Sequence, residues 1–278
     1  MANQLEEDLK RLSIDDEIDT SKYNFICKTV QSNAIKTLAE SLKDVIIDTN
    51  LKINSKGMEI LTSNKPVNTA LVQLKLIAKC FEYFYCAQEQ SLGLKIKSLY
   101  ILLKTISNND VITMYVLKSD ITRLVIEIEN KEKNIKDVSK LKLLDIDEDE
   151  YEIGGIDFDR VIKMPSTDFQ KICKELSNIA DIVNIEVSGN IFKMSVDGTI
   201  GEKEVIVQKN NQVYVNGSAE EVHIIQKYAL KFLLLFVKSS NLCSTVEIFI
   251  KDNYPLVLIY SIGSLGSLKF LLVPFNSE

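Results

Sequence analysis

The chain has 278 residues, of which 46% are hydrophobic and 8% aromatic, enough to bury one large core or two of ordinary size. This composition excludes a largely disordered protein. The sequence has no long apolar stretch, so we expect that the chain is neither secreted nor inserted across a membrane. The five cysteines are odd in number and form no Cys-x-x-Cys pair, so we expect neither a disulfide framework nor a zinc site.

The net charge of −6 is unevenly distributed along the chain. Residues 1–22 hold seven acidic and three basic residues, and residues 145–159 hold eight acidic residues and no basic one. Subtracting both segments from the total leaves +6 on the rest of the chain. We interpret residues 1–22 as an acidic, flexible N-terminal extension with one short helix near residues 5–12, and residues 145–160 as an acidic interdomain connector.

Between these acidic segments, the pattern of residues 23–144 predicts a first domain of strands with two helices. The first helix, over residues 32–45, has an apolar stripe formed by Ile35, Leu38, Ala39, Leu42 and Ile46. The second helix is predicted over residues 96–106. Period-two patterns and turn residues predict strands over residues 23–30, 48–63 with a turn at Gly57, 69–78, 81–86, 111–118, 123–130 and 138–146.

The same order recurs over residues 161–278, the predicted second domain. Helices are predicted over residues 165–179 and 226–238. Strands are predicted over residues 158–164, 183–196, 202–208, 211–217, 244–252, 255–262 and 267–274. This internal duplication, with few helices and many strands, predicts an α+β fold in which helices cover one face of antiparallel sheets.

Lysines recur at aligned positions on all four predicted helices. In the apolar run QKYALKFLLLFVK, residues 226–238, a helix would place Lys231 about 40° and Lys238 about 20° from Lys227. One interpretation is that these lysines only solubilise exposed faces. The other is that they form a surface for a phosphate backbone, because flexible point charges suffice where no base is read. The remaining aligned pairs are Lys36 with Lys43, Lys97 with Lys104, and Lys171 with Lys174.

Several motifs resemble one known family. The segments VIKMPSTDFQKICKELSNIAD and PLVLIYSIGSLGSLKFLLVP in the second half, and VQSNAIKTLAESLKD and LKLLDID in the first, resemble the proliferating cell nuclear antigen (PCNA) family. This family comprises the sliding clamps of eukaryotic and some viral replication. The resemblance implies a DNA-clamp fold with two similar domains, each with two helices, that closes head-to-tail into a homotrimeric ring whose helices line the hole.

The resemblance also implies a function. Such a ring encircles duplex DNA without sequence preference and tethers DNA polymerase and other replication and repair proteins, with a clamp loader as a further candidate partner. Its implied location is the nucleus, or the viral replication site for a viral protein. The alternative is a clamp relative that acts as a checkpoint clamp subunit or a transcription scaffold. The family has basic residues at certain positions inside the hole. The residues of this chain at matching positions are Lys36, Lys43, Lys104, Lys174, Lys231 and Lys238.

A second implied surface is a hydrophobic pocket under the connector, where partner proteins dock a short motif. An apolar groove among acidic residues suits a partner peptide with basic flanks. The alternative is that the two connector residues, Tyr151 and Ile153, only pin a long loop to the sheet. The positions that match the family pocket are Tyr151, Ile153, Pro255, Leu271, Leu272, Val273 and Pro274.

The ring implies a contact between copies of the chain. We expect the strand near residues 136–143 of one copy to pair with residues 202–208 of the next, in a heterologous contact that closes after three copies. The interface residues on this hypothesis are Lys136, Lys140, Glu202, Glu204, Val205 and Val207.

No catalytic set or cofactor site is predicted. His223 is the single histidine of the sequence, and its expected place at the start of a helix favours a capping or surface role. The sequence has no glycine-rich phosphate loop, and the acidic residues of 145–159 are too numerous to single out catalysts or metal ligands. We therefore expect a protein that is not an enzyme and needs neither cofactor nor metal.

Overall fold

The structure, a computed structural model, describes residues 18–63, 69–147, 151, 154–208, 210, 213–216 and 223–275. The helix predicted near residues 5–12 and the predicted pocket residue Ile153 lie outside these ranges. Within them, short 3-10 helices span Thr20–Lys22, Ala78–Cys80 and Val237–Asn241. The α-helices of the described residues are α1 (Ser32–Leu42), α2 (Ile96–Leu103), α3 (Ser166–Ser177) and α4 (Leu230–Phe236).

Most of the remaining described residues belong to strands. Those of the first half are β1 (Tyr23–Thr29), β2 (Asp48–Asn54), β3 (Gly57–Ser63), β4 (Ala70–Ile77), β5 (Tyr83–Cys86), β6 (Gln90–Lys95), β7 (Val111–Leu117), β8 (Asp120–Asn130) and β9 (Ile135–Lys142). Those of the second half are β10 (Arg160–Pro165), β11 (Ile182–Ser188), β12 (Ile191–Gly198), β13 (Gly201–Gln208), β14 (Tyr214–Asn216), β15 (His223–Ala229), β16 (Thr245–Ile250), β17 (Leu256–Ile262) and β18 (Gly266–Leu272).

The described strands form three antiparallel sheets. One has the order β5-β1-β7-β8-β9, and another has the order β13-β12-β11-β15. The largest, β14-β10-β16-β17-β18-β4-β3-β2-β6, runs through both halves of the chain. It does so because β18 pairs with β4, from Gly266 opposite Leu76 to Leu272 opposite Ala70.

The internal duplication expected from the sequence is visible in these strand orders. The order β5-β1-β7-β8-β9 in the first half matches β14-β10-β16-β17-β18 in the second, and β6-β2-β3-β4 matches β15-β11-β12-β13. Strand β9 therefore corresponds to β18, and β13 corresponds to β4. The pair β18–β4 is formed within the chain, whereas β9 and β13 each end a sheet.

The helices pack on the sheets through the apolar faces that the sequence predicts. On α1, the expected stripe from Ile35 to Leu42 is buried, and Ile46 in the following turn is buried as well. Helix α1 contacts α2 and also the 3-10 helix Val237–Asn241, which in turn contacts α3 and α4. The helices of both halves thus form one contiguous row, and the α+β fold is confirmed.

The structure corrects the prediction of a helix over residues 226–238. Residues up to Ala229 belong to β15, which pairs with β11, and α4 begins at Leu230. Burial in β15 alternates, with Gln226 and Tyr228 inside and Lys227 exposed. A short apolar run fits a strand or a helix equally well, and here the pairing with β11 decides between them. Lys227 therefore does not belong to the helical strip.

Two further elements differ from the prediction. Strand β6 was not predicted, although it pairs with β2 along its whole length. His223 begins the strand β15 rather than a helix, and its Nε2 atom lies 2.9 Å from Glu186 Oε1.

Candidate functional site

Lys104, Lys174 and Lys231, three of the six lysines predicted for the hole, have exposed side chains on the row of helices. Lys104 follows the last residue of α2, Lys174 lies in the last turn of α3, and Lys231 lies in the first turn of α4. All three are exposed. In the described part of the chain, no hydrogen bond or ion pair engages the ammonium group of Lys104 or of Lys174, although their backbones are hydrogen-bonded. Lys231 Nζ lies 4.9 Å from the centroid of the Phe232 ring. Their ammonium groups are therefore accessible to an anionic ligand.

Two predicted lysines on α1 are engaged within the protein. Lys36 Nζ donates a 2.8 Å hydrogen bond to the carbonyl oxygen of Ile106, beyond the end of α2. Lys43 Nζ lies 3.5 Å from Glu40 Oε1 and 3.9 Å from the centroid of the Tyr100 ring. Both lysines are half-buried, so they hold α1 against α2 in addition to supplying positive charge.

The sixth predicted lysine forms an ion pair across the two halves of the chain. Lys238 Nζ lies 2.6 Å from Asp44 Oδ2, in the segment that follows α1. The hydrogen bond from Lys238 lowers the pKa of Asp44, and the charges of Lys43 and Lys97 lower that pKa further. Asp44 thus lies among three lysines. Asp44 is not among the residues predicted from the sequence, and the available signal was its position directly after Lys43.

The acidic connector is fixed at its beginning to the first half. The backbone N–H of Leu144 donates to the carbonyl of Gly93 at 2.9 Å, and the Asn50 side chain donates to the carbonyl of Ile146 at 3.0 Å. A Cβ atom on residue 93 would lie 2.1 Å from the Leu144 carbonyl oxygen. Only glycine therefore permits this close approach of two backbones.

The connector is also fixed at its end to the second half. The ring of Phe158 packs against those of Phe249 and Tyr254, with centroids 5.3 and 5.8 Å apart. Lys251 Nζ donates a 3.0 Å hydrogen bond to the carbonyl of Asp157. Both ends of the connector are therefore held against the sheets that it joins.

The predicted pocket residues differ in exposure. The hydroxyl of Tyr151 lies 2.8 Å from Ser63 Oγ, at the end of β3. Pro255 and Pro274 are half-buried and Val273 is 46% exposed. Leu271 and Leu272 are buried, at 5% and 1% exposure, so they can shape a docking surface only from beneath.

An exposed aromatic residue next to this region was absent from the sequence prediction. Phe275 follows Pro274 and is 46% exposed. Its backbone N–H donates to the carbonyl of Lys227 at 2.7 Å, which fixes this C-terminal segment to β15. Phe275 and Val273 together place apolar surface near the end of the large sheet.

A cavity of about 310 Å³ lies beside the beginning of the connector. Its apolar lining includes Ile46, Ile47 and Ile146, and Ile47 is 74% exposed. Its carboxylates are those of Asp44, Asp48 and Asp147, accompanied by Lys52. This side of the molecule therefore combines apolar surface with an acidic rim, the combination that a basic peptide flank requires.

The two predicted interface strands are sheet edges with complementary outer faces. Strand β9 carries Lys136, Val138 and Lys140 on the face opposite the core, since Lys140 lies beside Val125 in the register with β8. On β13, the side chains of Val205 and Val207 pack against the core, so the outward side chains are Glu202, Glu204 and Ile206. Val138 is 48% exposed and Ile206 is 56% exposed.

Comparisons with known proteins match both halves of the chain. The model of the proliferating cell nuclear antigen N-terminal domain matches residues 25–151, and that of the C-terminal domain matches residues 152–275. The Probable DNA polymerase sliding clamp 1 of Paramecium bursaria Chlorella virus 1 is 35% identical over 266 residues, which cover 94% of this chain and 100% of the relative.

The chain belongs to the PCNA family. Membership confirms the resemblance seen in the sequence, and PCNA sliding clamps are not enzymes. The two family domains meet between residues 151 and 152, within the connector. Among the described residues, no group of three or more His, Cys, Asp or Glu side chains could hold a metal ion. No helix of the described residues is long and apolar enough to cross a membrane.

Proposed function

We propose that this PCNA-family chain closes into a ring of three copies that encircles duplex DNA and tethers DNA polymerase through a docked peptide. Its two family domains and its viral relative make it a DNA polymerase sliding clamp, a processivity factor that acts where DNA is replicated. The observation that carries the ring is the strand pair β18–β4, because the same junction can form between copies.

The junction within the chain provides a template for the junction between chains. Strands β18 and β4 pair antiparallel, and their counterparts in the other half are β9 and β13. When β9 of one copy pairs with β13 of the next, every domain meets its neighbour through an equivalent strand pair. Such a heterologous contact repeats a fixed rotation, and it closes into a ring when the repeated rotation completes a full turn. The family resemblance gives three copies as the closing number.

The side chains on the two edges support this pairing. Lys136 and Lys140 would face Glu202 and Glu204, although exposed ion pairs of this kind contribute only about 0–1 kcal/mol each. The larger contribution comes from the backbone ladder and from apolar side chains that leave water. Val138 and Ile206 are both about half exposed in the single chain, and full burial of a side chain of this size stabilises by roughly 1.5–3 kcal/mol.

The row of helices is the surface that we assign to DNA. A phosphate backbone is bound without sequence preference by an array of cations, and binding releases condensed counterions. Lys104, Lys174 and Lys231 are free to make such contacts, and their stems can lie along apolar neighbours while the ammonium groups reach phosphates. Lys36, Lys43 and Lys238 add positive charge while they are engaged in contacts within the protein.

The partner peptide is assigned to the connector side of the molecule. Tyr151, Pro255 and Val273 supply accessible surface there, and Phe275 extends it. An apolar and aromatic peptide motif would contact these residues, and its basic flank would lie near Asp48 and Asp147. The polymerase and other replication proteins that carry such a motif are the expected partners.

The experiment that tests the proposal combines mass, topology and polymerase activity. Light scattering at micromolar concentration should give the mass of three chains. Retention on closed circular DNA should exceed retention on linear DNA of the same length, because a ring slides off free ends. With a cognate polymerase, the protein should lengthen the products of a single binding event. A monomer in solution would refute the ring, and a ring that leaves product length unchanged would refute the tethering of polymerase.

A further inference from the structure

The outer face of the sheet β5-β1-β7-β8-β9 carries tyrosines that belong to no predicted site. In the register of this sheet, Tyr85, Ile26, Tyr115 and Val125 lie opposite one another in a single row across four strands. Their neighbours along the strands, such as Phe25 and Met114, belong to the core. The row therefore faces away from the core. With Tyr23 and Tyr83, these residues form a surface termed here the tyrosine face.

The tyrosine face is compact and shields apolar side chains of its own. Ile26 and Val125 are only 4% and 3% exposed although neither belongs to the main core, because half-buried tyrosine rings cover them. The rings of Tyr23 and Tyr115 meet edge to face at 5.3 Å. The Tyr115 hydroxyl donates to Glu127 at 2.9 Å, and burial together with this carboxylate raises the pKa of Tyr115 to about 12.

Positive charge surrounds this aromatic surface. Lys28 lies opposite Tyr83 and Lys140 lies opposite Val125, and Lys136 forms a 2.7 Å ion pair with Glu127. The outward basic residues of the described sheet are Lys28, Arg123, Lys136, Lys140 and Lys142. The acidic residues on or beside this face are Glu127, Glu129 and Asp120, of which Asp120 pairs with Arg123. A surface with aromatic rings and an excess of positive charge suits an occupant that is apolar on one side and acidic on the other.

The chain itself contains a segment with these properties. Residues 1–17, which lie outside the described part of the structure, hold six acidic and two basic residues. Leu5, Leu9 and Leu12 are spaced so that a helix would align them on one side. The complementarity of charge and of apolar spacing favours this segment over an external partner.

The connection between this segment and the tyrosine face is short. The residues Thr20–Lys22 form a 3-10 helix, and the carbonyl of Lys22 accepts a 2.9 Å hydrogen bond from the N–H of Lys118. The next residue is Tyr23, which already belongs to the tyrosine face. Five strands span only about 19 Å, and 17 extended residues reach about 56 Å, so the segment is long enough to cross the sheet.

We propose that residues 1–17 dock on the tyrosine face of their own subunit. Leu5, Leu9 and Leu12 would contact the tyrosine rings, and the acidic side chains would approach Lys28 and its basic neighbours. This proposal does not rest on DNA binding, and the basic residues around the tyrosine face share only Lys136 and Lys140 with the proposed subunit contact.

The test uses a tryptophan reporter, because the chain contains no tryptophan. The full chain with Leu9→Trp should show blue-shifted emission and several-fold weaker quenching by acrylamide than a free indole. Adding Tyr85→Ser or Lys28→Glu should restore the emission and quenching of an exposed indole. The matched control Tyr254→Ser removes a half-buried tyrosine from the second half and should leave the reporter protected. Circular dichroism of each variant verifies that the sheet has formed, and Leu5→Trp provides a second reporter position.

Each other result overturns the proposal. A reporter that is exposed in the otherwise unchanged chain shows that the segment does not dock. A reporter whose protection survives both Tyr85→Ser and Lys28→Glu shows that it docks elsewhere. The variant Ile206→Asp, which should break the ring, tests whether the segment docks on a neighbouring copy instead. If the reporter loses its protection when the ring dissociates, the segment docks on the neighbour and the proposal is wrong.

Discussion

Lys238 of the second domain and Asp44 of the first form a 2.6 Å ion pair in the row of helices that we assign to DNA. Both side chains are nearly half exposed, so the pair contributes only about 0–1 kcal/mol to the stability of the fold. Its effect on ligand binding is larger, because a phosphate that approaches Lys238 competes with the carboxylate already there. Asp44 is therefore expected to moderate the affinity of the helical face for DNA.

The first prediction is that Asp44→Asn and Lys238→Ala change DNA binding in opposite directions. Asp44→Asn removes a competing anion and should increase affinity, whereas Lys238→Ala should reduce it. Loss of one phosphate contact should flatten the log–log dependence of affinity on salt by about 0.9. Fluorescence anisotropy with a short duplex over a range of salt concentrations measures both. The control is Asp252→Asn, which neutralises an exposed acid in a turn outside the helices. If it increased DNA affinity as much as Asp44→Asn does, only the net charge of the protein would matter.

The second prediction concerns the titration of Asp44. Since its folded pKa lies below the ordinary value of 3.8, the ion pair is complete at neutral pH. Its contribution to stability is present above the unfolded pKa and is lost as the pH falls through the lowered folded value. Carboxyl-detected NMR titration should give a lower pKa for Asp44 in the unchanged protein than in Lys238→Ala. Equal values would show that the pair does not persist in solution.

The third prediction separates two lysines that look alike in the sequence. Lys36→Ala should lower the free energy of unfolding by about 1 kcal/mol, because the half-buried Ile106 carbonyl loses its donor. Lys104→Ala, an exposed lysine, should leave the thermal midpoint unchanged and lower DNA affinity. Calorimetry and anisotropy on the same samples make the comparison. The assignment is wrong if the two variants have equal thermal midpoints.

The fourth prediction concerns the subunit contact. Ile206→Asp should convert the ring to monomers, because it buries an unpaired carboxylate in the β9–β13 junction. Ile225→Asp is a matched control, since Ile225 is 55% exposed on β15 at the opposite edge of the same sheet, and Ile206 is 56% exposed. Light scattering should give the mass of a single chain for Ile206→Asp and the unchanged mass of the trimer for Ile225→Asp. Dissociation by both variants would indicate general damage to the sheet.

The fifth prediction concerns the connector. Tyr151→Ala should weaken the binding of a polymerase-derived peptide, because it removes both the aromatic side chain and its contact to Ser63. The mass of the trimer should stay unchanged. Ser63→Ala removes the hydroxyl partner but keeps the Tyr151 side chain, so it distinguishes the alternative that Tyr151 merely pins the loop. Calorimetric titration of the peptide measures both. Unchanged affinity for Tyr151→Ala would place the peptide site elsewhere.

Much of the fold follows from local sequence alone. The 3.6-residue spacing of Ile35, Leu38 and Leu42 determines α1, because a helix is the structure that brings these side chains to one face. Period-two patterns likewise indicated most strands, and the repeat of their order indicated the duplication. The family motifs then identified a sliding clamp, since they lie in both halves of the chain.

Long-range pairing decided the rest. Residues 226–229 lead directly into an apolar run that fits a helix, and only β11 makes them a strand, through a ladder with residues 182–185. Lys36 and Lys104 have the same chemistry, and only the position of Ile106, 70 residues from Lys36, makes one of them an internal donor. Which edges stay free is likewise a property of the whole sheet arrangement. Strand β4 has β18 of its own chain on its second edge, whereas in the described chain no strand lies on the outer edge of β9 or β13. Backbone hydrogen bonds depend on spatial neighbours rather than on residue type, so the sequence alone does not show this difference.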